Sequence, residues 1–119
     1  MNKIWYHGSP FRLTRIGKGS TITQDRDLAR VFSHKPTIVS VADDGTIKHN
    51  GTMPGLLYRI AEEMQSGDVY PHPRSSMAPG KEWLTHRELR VELTAPTQMV
   101  DTEKLPEDEI AALRKRLDH

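Results

Sequence analysis

Thr37-Ile38-Val39-Ser40-Val41-Ala42-Asp43-Asp44-Gly45-Thr46-Ile47-Lys48-His49, followed closely by Gly55-Leu56-Leu57-Tyr58-Arg59-Ile60-Ala61, is the stretch whose reading decides the fold class. Residues 37–42 are mostly β-branched or apolar and read as a strand. Asp43-Asp44-Gly45 is a hairpin signal, because glycine takes the positive φ that a tight turn needs, and 46–49 supply a return strand. Residues 55–61 read as a third strand. Parallel strands would need a helical crossover of a dozen or more residues between them, and none fits in the interval. Strands that follow one another in this way predict an α+β fold with mostly antiparallel sheet.

Toward the N-terminus, Lys3–Tyr6 alternates and reads as a short strand ending at His7-Gly8, before the breaker cluster Gly8-Ser9-Pro10. Gly17-Lys18-Gly19-Ser20 is a turn signal, and Thr21-Ile22-Thr23 reads as a short extended piece. Thr23 is placed to cap a helix over 25–33, with Asp25 and Asp27 in the favourable first turn. Leu28, Val31 and Phe32 fall on one face of that helix, and Pro36 ends it. Toward the C-terminus, residues 62–80 are polar and carry Gly67, Pro71, Pro73, Pro79 and Gly80, so they read as a long loop, the kind that usually serves function or moves. Strand character returns at 82–84, 88–93 and 96–101. Pro106 then opens a final helix through Leu117, with Ile110, Leu113 and Leu117 as its apolar stripe. The expected architecture is α+β with mostly antiparallel sheet, one early helix and one C-terminal helix, in a single domain over 1–119.

Composition narrows the function. The 119 residues suit one domain with a core of its own. There is no cysteine, which excludes a disulfide scaffold, a thiolate metal site and a cysteine nucleophile. No apolar run approaches the roughly 18 residues that cross a bilayer, and the N-terminus lacks the apolar region of a signal peptide, so the expectation is a cytoplasmic protein with no membrane partner. The net charge is +1, but residues 1–42 hold Lys3, Arg12, Arg15, Lys18, Arg26, Arg30 and Lys35 against only Asp25 and Asp27. Such a basic half can attract a phosphate-bearing ligand or be an ordinary solvated surface, and the excess is too small for a dedicated nucleic-acid binder.

Three segments hold candidate chemistry. In Tyr6-His7-Gly8-Ser9, a histidine at a strand end can bond a ligand, and the glycine lets a ligand approach the backbone. Gly17-Lys18-Gly19-Ser20-Thr21 is not a P-loop, because the spacing before the lysine is wrong and the order is Gly-Lys-Gly; in isolation it reads as a surface turn. In Lys81-Glu82-Trp83-Leu84-Thr85-His86-Arg87-Glu88, a carboxylate beside a tryptophan is a candidate functional acid. The remaining histidines show no i, i+4 pair and no His-Glu-x-x-His pattern, so no metal site is expected. The absence of Gly-x-Ser-x-Gly argues against a serine hydrolase.

In order and spacing, the three segments together resemble the ADP-ribosyltransferase fold in its His–Tyr–Glu branch, which includes poly(ADP-ribose) polymerases, RNA 2′-phosphotransferases and rifampicin ADP-ribosyltransferases. His7-Gly8-Ser9 is similar to that branch's His-Gly-Thr/Ser. Gly17–Thr23 followed by Asp27-Leu28-Ala29-Arg30-Val31-Phe32 resembles its Gly-Lys-Gly segment and following helix. Glu82 falls where the family has its glutamate, and Thr85–Val91 resembles a stretch of the rifampicin enzymes. The resemblance covers about residues 4–93. It implies a compact α+β fold of split antiparallel β-sheets, NAD as substrate, cleavage of the nicotinamide–ribose bond and transfer of ADP-ribose to a protein, nucleic acid or small molecule. It implies Glu82 as the catalytic carboxylate, with Glu88 as the alternative register. His7 would hold a ribose hydroxyl and Gly8 would offer backbone groups to the nicotinamide amide. Ser9, Ser20, Thr21 and Phe32 would belong to the same NAD site, Phe32 supplying a ring, while Arg12, Arg15 or Lys18 would pair with the pyrophosphate. Thr21 departs from the family, which has a stacking tyrosine there. That departure keeps open a catalytically degenerate module that binds a nucleotide or a partner. An RNA-directed phosphotransferase of the same fold is a third reading.

Overall fold

The computed structural model describes residues 4–74 and 80–117. Among the described residues nine strands run in the order β1 (Tyr6–Ser9), β2 (Arg15–Ile16), β3 (Thr21–Ile22), β4 (Val39–Val41), β5 (Ile47–His49), β6 (Gly55–Ile60), β7 (Val69–Pro71), β8 (Trp83–Thr85) and β9 (Leu89–Thr97). Helix α1 (Arg26–Phe32) lies between β3 and β4, a 3₁₀ turn spans Asp101–Glu103, and α2 is Glu107–Leu117. The strands form a four-stranded sheet in the order β1-β6-β9-β2, a three-stranded sheet β3-β8-β7 and the hairpin β4-β5. Every strand pair is antiparallel. The described residues are therefore α+β with split antiparallel sheets, one early helix and one C-terminal helix; the succession of short strands predicts the α+β class and the antiparallel pairing.

The sheets meet edge to edge. Tyr6 at the start of β1 bridges Thr23 just after β3, through Tyr6 N–H to Thr23 O at 2.7 Å and Thr23 N–H to Tyr6 O at 3.0 Å. Beyond that bridge the two edge strands part. Ile16, Ile22, Tyr58, Ile60, Leu89 and Val91 form the core, and Trp5 and Trp83, from the two sides of the seam, pack edge to face at 5.5 Å. The buried Tyr58 hydroxyl donates to Phe11 O and accepts from Leu13 N–H, so the connection between β1 and β2 is tied to the core.

Helix α1 rests on β1. Leu28, Ala29 and Val31 are buried, and a Cβ on Gly8 would overlap the Ala29 carbonyl and lie 2.7 Å from Ser33 N. Gly8 is thus required by helix packing, whereas the sequence reading assigns its bareness to a ligand. The cap also differs from expectation. Asp25, not Thr23, accepts the Leu28 N–H, while Thr23 Oγ1 accepts from Asp25 N–H.

Four boundaries correct the sequence reading. The first strand begins at Tyr6, so His7 and Gly8 lie inside it; Lys3 is outside the described residues. The expected loop over 62–80 contains β7, and its residues 75–79 lie outside the described residues. The two late strands are one, β9, and residues 101–103 form a 3₁₀ turn instead of its end. Pro96 is accommodated because β2 pairs with β9 only at Leu89 and Arg90, which leaves an open edge at the proline. In α2, Ile110 is half-buried; the side chains of Leu113 and Leu117 lie outside the described residues.

Candidate functional site

A cavity of about 280 Å³ opens where β1 and β3 part, lined by His7, Gly8, Ser9, Thr21, Phe32, Lys35, Pro36 and Glu82. Its volume sits just below the roughly 300–1,000 Å³ usual for small-molecule sites. Each wall has a different origin. β1 contributes His7, Gly8 and Ser9, β3 contributes Thr21, and the end of α1 contributes Phe32 with the Lys35-Pro36 turn. Glu82 stands immediately before β8. Its carbonyl accepts the His72 N–H at 3.1 Å, which extends the β7–β8 ladder one step beyond the Pro71–Trp83 pair. Trp83 packs on the core, and the two-residue alternation of an extended chain sets Glu82 on the other side.

The imidazole of His7 is fixed by its surroundings. Nδ1 lies 2.8 Å from Thr21 O, and a carbonyl only accepts, so Nδ1 carries the proton and Nε2 is the acceptor of the neutral ring. Burial pushes the imidazole below its ordinary value; the hydrogen bond to Thr21 opposes this and the charge of Lys35 reinforces it. At neutral pH the ring is uncharged. Ser9 is buried, and its hydroxyl accepts the Phe11 N–H at 3.1 Å, which rigidifies the chain leaving β1.

Six of the eleven residues singled out from the sequence therefore line one cavity: His7, Gly8, Ser9, Thr21, Phe32 and Glu82. The other five, Glu88, Arg12, Arg15, Lys18 and Ser20, do not. Glu88 is exposed on the far end of the β8–β9 turn, bonds Arg15 at 2.7 Å and is not among the lining residues. Arg15 is spoken for by the same pair. Arg12 and Lys18 are exposed and absent from the lining. Lys18 occupies the tip of a turn in which Ser20 N–H bonds Gly17 O and Gly19 adopts φ +85°, as a type II turn requires. Ser20 directs its hydroxyl to the same Gly17 carbonyl at 2.6 Å, and Thr85 Oγ1 also donates to it. The Gly-Lys-Gly segment thus packs onto β8. Lys35 and Pro36 are lining residues that the sequence reading passes over. Lys35 was visible only as one member of the basic excess in 1–42.

Two histidines separated in sequence meet away from the cavity. His34 and His49 are buried and stack at 5.5 Å with ring planes 10° apart. His34 Nδ1 donates to Met53 O at 2.7 Å, and His49 Nδ1 accepts the Gly51 N–H at 3.0 Å. Both Nε2 atoms are buried without a hydrogen-bond partner among the described residues. Glu103, 4.0 Å from His49 Nε2, is held by Arg30 through two bonds of 2.8 and 2.6 Å. Among the described residues no group of three His, Asp or Glu side chains is placed to hold a metal ion. Nor is any helix there long and apolar enough to cross a membrane.

Comparison with protein-family models, with curated proteins and with solved structures gives no match to this chain.

Proposed function

We propose that this chain is a small cytoplasmic protein of ADP-ribosyltransferase type that cleaves the nicotinamide–ribose bond of NAD and passes ADP-ribose to an acceptor. The observation that carries this reading is that His7 and Glu82, on different sheets, line one cavity together with Gly8, Ser9, Thr21 and Phe32. The neutral His7 offers an acceptor nitrogen to a ribose hydroxyl. As the C1′–N bond breaks, its electron pair leaves on nicotinamide and positive charge develops on the ribose. The Glu82 carboxylate stabilises that charge electrostatically. A lone pair of the acceptor then bonds C1′, and the acceptor's proton passes to solvent. The acceptor is a protein, a nucleic acid or a small molecule. Nicotinamide release from NAD is the test. Release that collapses in Glu82→Gln supports the proposal, and release indifferent to that substitution overturns the assigned chemistry.

A second reading is favoured by Thr21. A threonine offers no ring to stack on nicotinamide, and Phe32 carries the one phenyl ring among the lining residues. On this reading the cavity binds a nucleotide without turnover. Calorimetric binding of ADP-ribose with no nicotinamide release from NAD selects it.

A further inference from the structure

Lys35 combines a costly backbone with an unused charge. Its φ is +57°, and among the described residues no other non-glycine has a positive φ. The position follows a helix end, where glycine or asparagine is usual because a Cβ crowds the left-handed conformation. Pro36 adds a further constraint on the residue before it. Strain of this kind persists where surrounding structure imposes it, and it concentrates at functional sites. The helix already has Arg30 as the cation of its last turn. Lys81 pairs with Asp25 at 3.2 Å and Arg87 with Asp68 and Glu62, whereas no carboxylate pairs with Lys35 among the described residues. Lys35 Nζ instead sits 5.7 Å from the ring centre of Phe11, an exposed side chain whose face stabilises a cation without neutralising it.

The cavity thus has one anionic and one cationic lining residue, Glu82 and Lys35. We propose that Lys35 is the phosphate-recognising residue of this cavity, so that the ligand is a nucleotide bearing a phosphate or pyrophosphate, oriented with its anionic group at Lys35 and its sugar toward His7 and Glu82. The assignment rests on the reading of the cavity as a nucleotide site. It replaces Arg12, Arg15 and Lys18, none of which lines the cavity.

The test is calorimetric titration of the wild type, Lys35→Gly and Lys35→Arg with ADP-ribose, ATP and adenosine at several salt concentrations. Lys35→Gly removes the charge at a position whose φ suits glycine, so the melting temperature is expected to hold or rise. The expected result is at least tenfold weaker ADP-ribose binding with a shallower salt dependence, unchanged adenosine binding and affinity within threefold of wild type for Lys35→Arg. Equal ADP-ribose affinity in Lys35→Gly and wild type overturns the role of Lys35 and leaves the ADP-ribosyl reading intact. Binding of ATP but not ADP-ribose, lost in Lys35→Gly, upholds Lys35 and removes the ADP-ribosyl reading. A wild type that binds neither phosphate ligand overturns both.

Discussion

His7 of the first sheet donates through Nδ1 to the carbonyl of Thr21 in the second, at 2.8 Å, just beyond the point where the edge strands cease to pair. That bond holds the ring in the split between the sheets, in the cavity that Glu82 lines from the other side. The two carboxylates of the 82–88 segment are therefore not equivalent. Glu82→Gln is expected to lower nicotinamide release by roughly 10²-fold or more, in line with removal of one preorganised electrostatic group. Glu88→Gln, which breaks an exposed pair with Arg15, is expected to leave release within twofold. Chromatographic quantification of nicotinamide at saturating NAD checks both; equal losses in the two variants contradict the assignment.

Gly8 predicts a stability effect independent of any ligand. A methyl group there overlaps the Ala29 carbonyl, which is backbone and cannot rotate away. Gly8→Ala is expected to destabilise by about 1–3 kcal/mol, the usual cost of forcing volume into a packed interior, and to lower the melting temperature by several degrees. Gly17→Ala is the control, since no atom lies within 4 Å of the added Cβ. Scanning calorimetry of both proteins settles the comparison.

Arg30 and Glu103 join α1 to the 3₁₀ turn ahead of α2, with side chains 20% and 17% exposed. The bond from Arg30 holds the Glu103 carboxyl below its ordinary value, with burial opposing. For a depressed carboxyl the sign is fixed: the stabilisation is present above the unfolded value near ~4.3 and is lost as pH falls through the folded one. Glu103→Gln is expected to cost about 1–3 kcal/mol at pH 7, as for charge-assisted bonds, and to flatten the acid limb of the stability curve below about pH 4.5. Urea midpoints from pH 7 down to pH 3 measure it.

A second acid limb is expected at higher pH. Burial lowers the His49 imidazole, and His34 beside it lowers it further; Glu103 opposes and Arg30 adds to the depression. His7 is depressed as well. The unfolded chain then binds protons that the folded chain refuses, so stability is full above ~6.5 and falls as pH drops through that value toward the folded ones. The urea midpoint is expected to decline between pH 7 and 5.5. His49→Gln and His7→Gln should each shrink the decline, and an undiminished slope in both variants sinks the account.

Much of this was legible in the sequence where one local rule governs. The i, i+3, i+4 pattern of Leu28, Val31 and Phe32 marks α1, and Asp43-Asp44-Gly45 marks the β4–β5 hairpin, whose Gly45 has φ +88°. The cap was misread because Thr23 is engaged by Tyr6 of another strand, a contact that no local pattern reveals. β7 is three residues ending in proline, too short and too punctuated to stand out from a loop. β9 reads as two strands because Pro96 looks like a break unless the missing neighbour on that edge is known. His7 and Glu82 were found through motif order, whereas Lys35 depends on a backbone angle that lysine does not announce.

The tether between His7 and Thr21 has a consequence for what the recess can admit. With one ring nitrogen committed to the opposite sheet, the other is an obligate receiver while the ring is uncharged. A visitor is sorted by the hydrogen it presents: an alcohol is welcomed and a bare ether or carbonyl is turned away. Acidification reverses that preference, because a second proton on the ring turns the receiver into a giver. A ligand rich in free hydroxyls is therefore expected to be held better at neutral pH than one whose hydroxyls are capped.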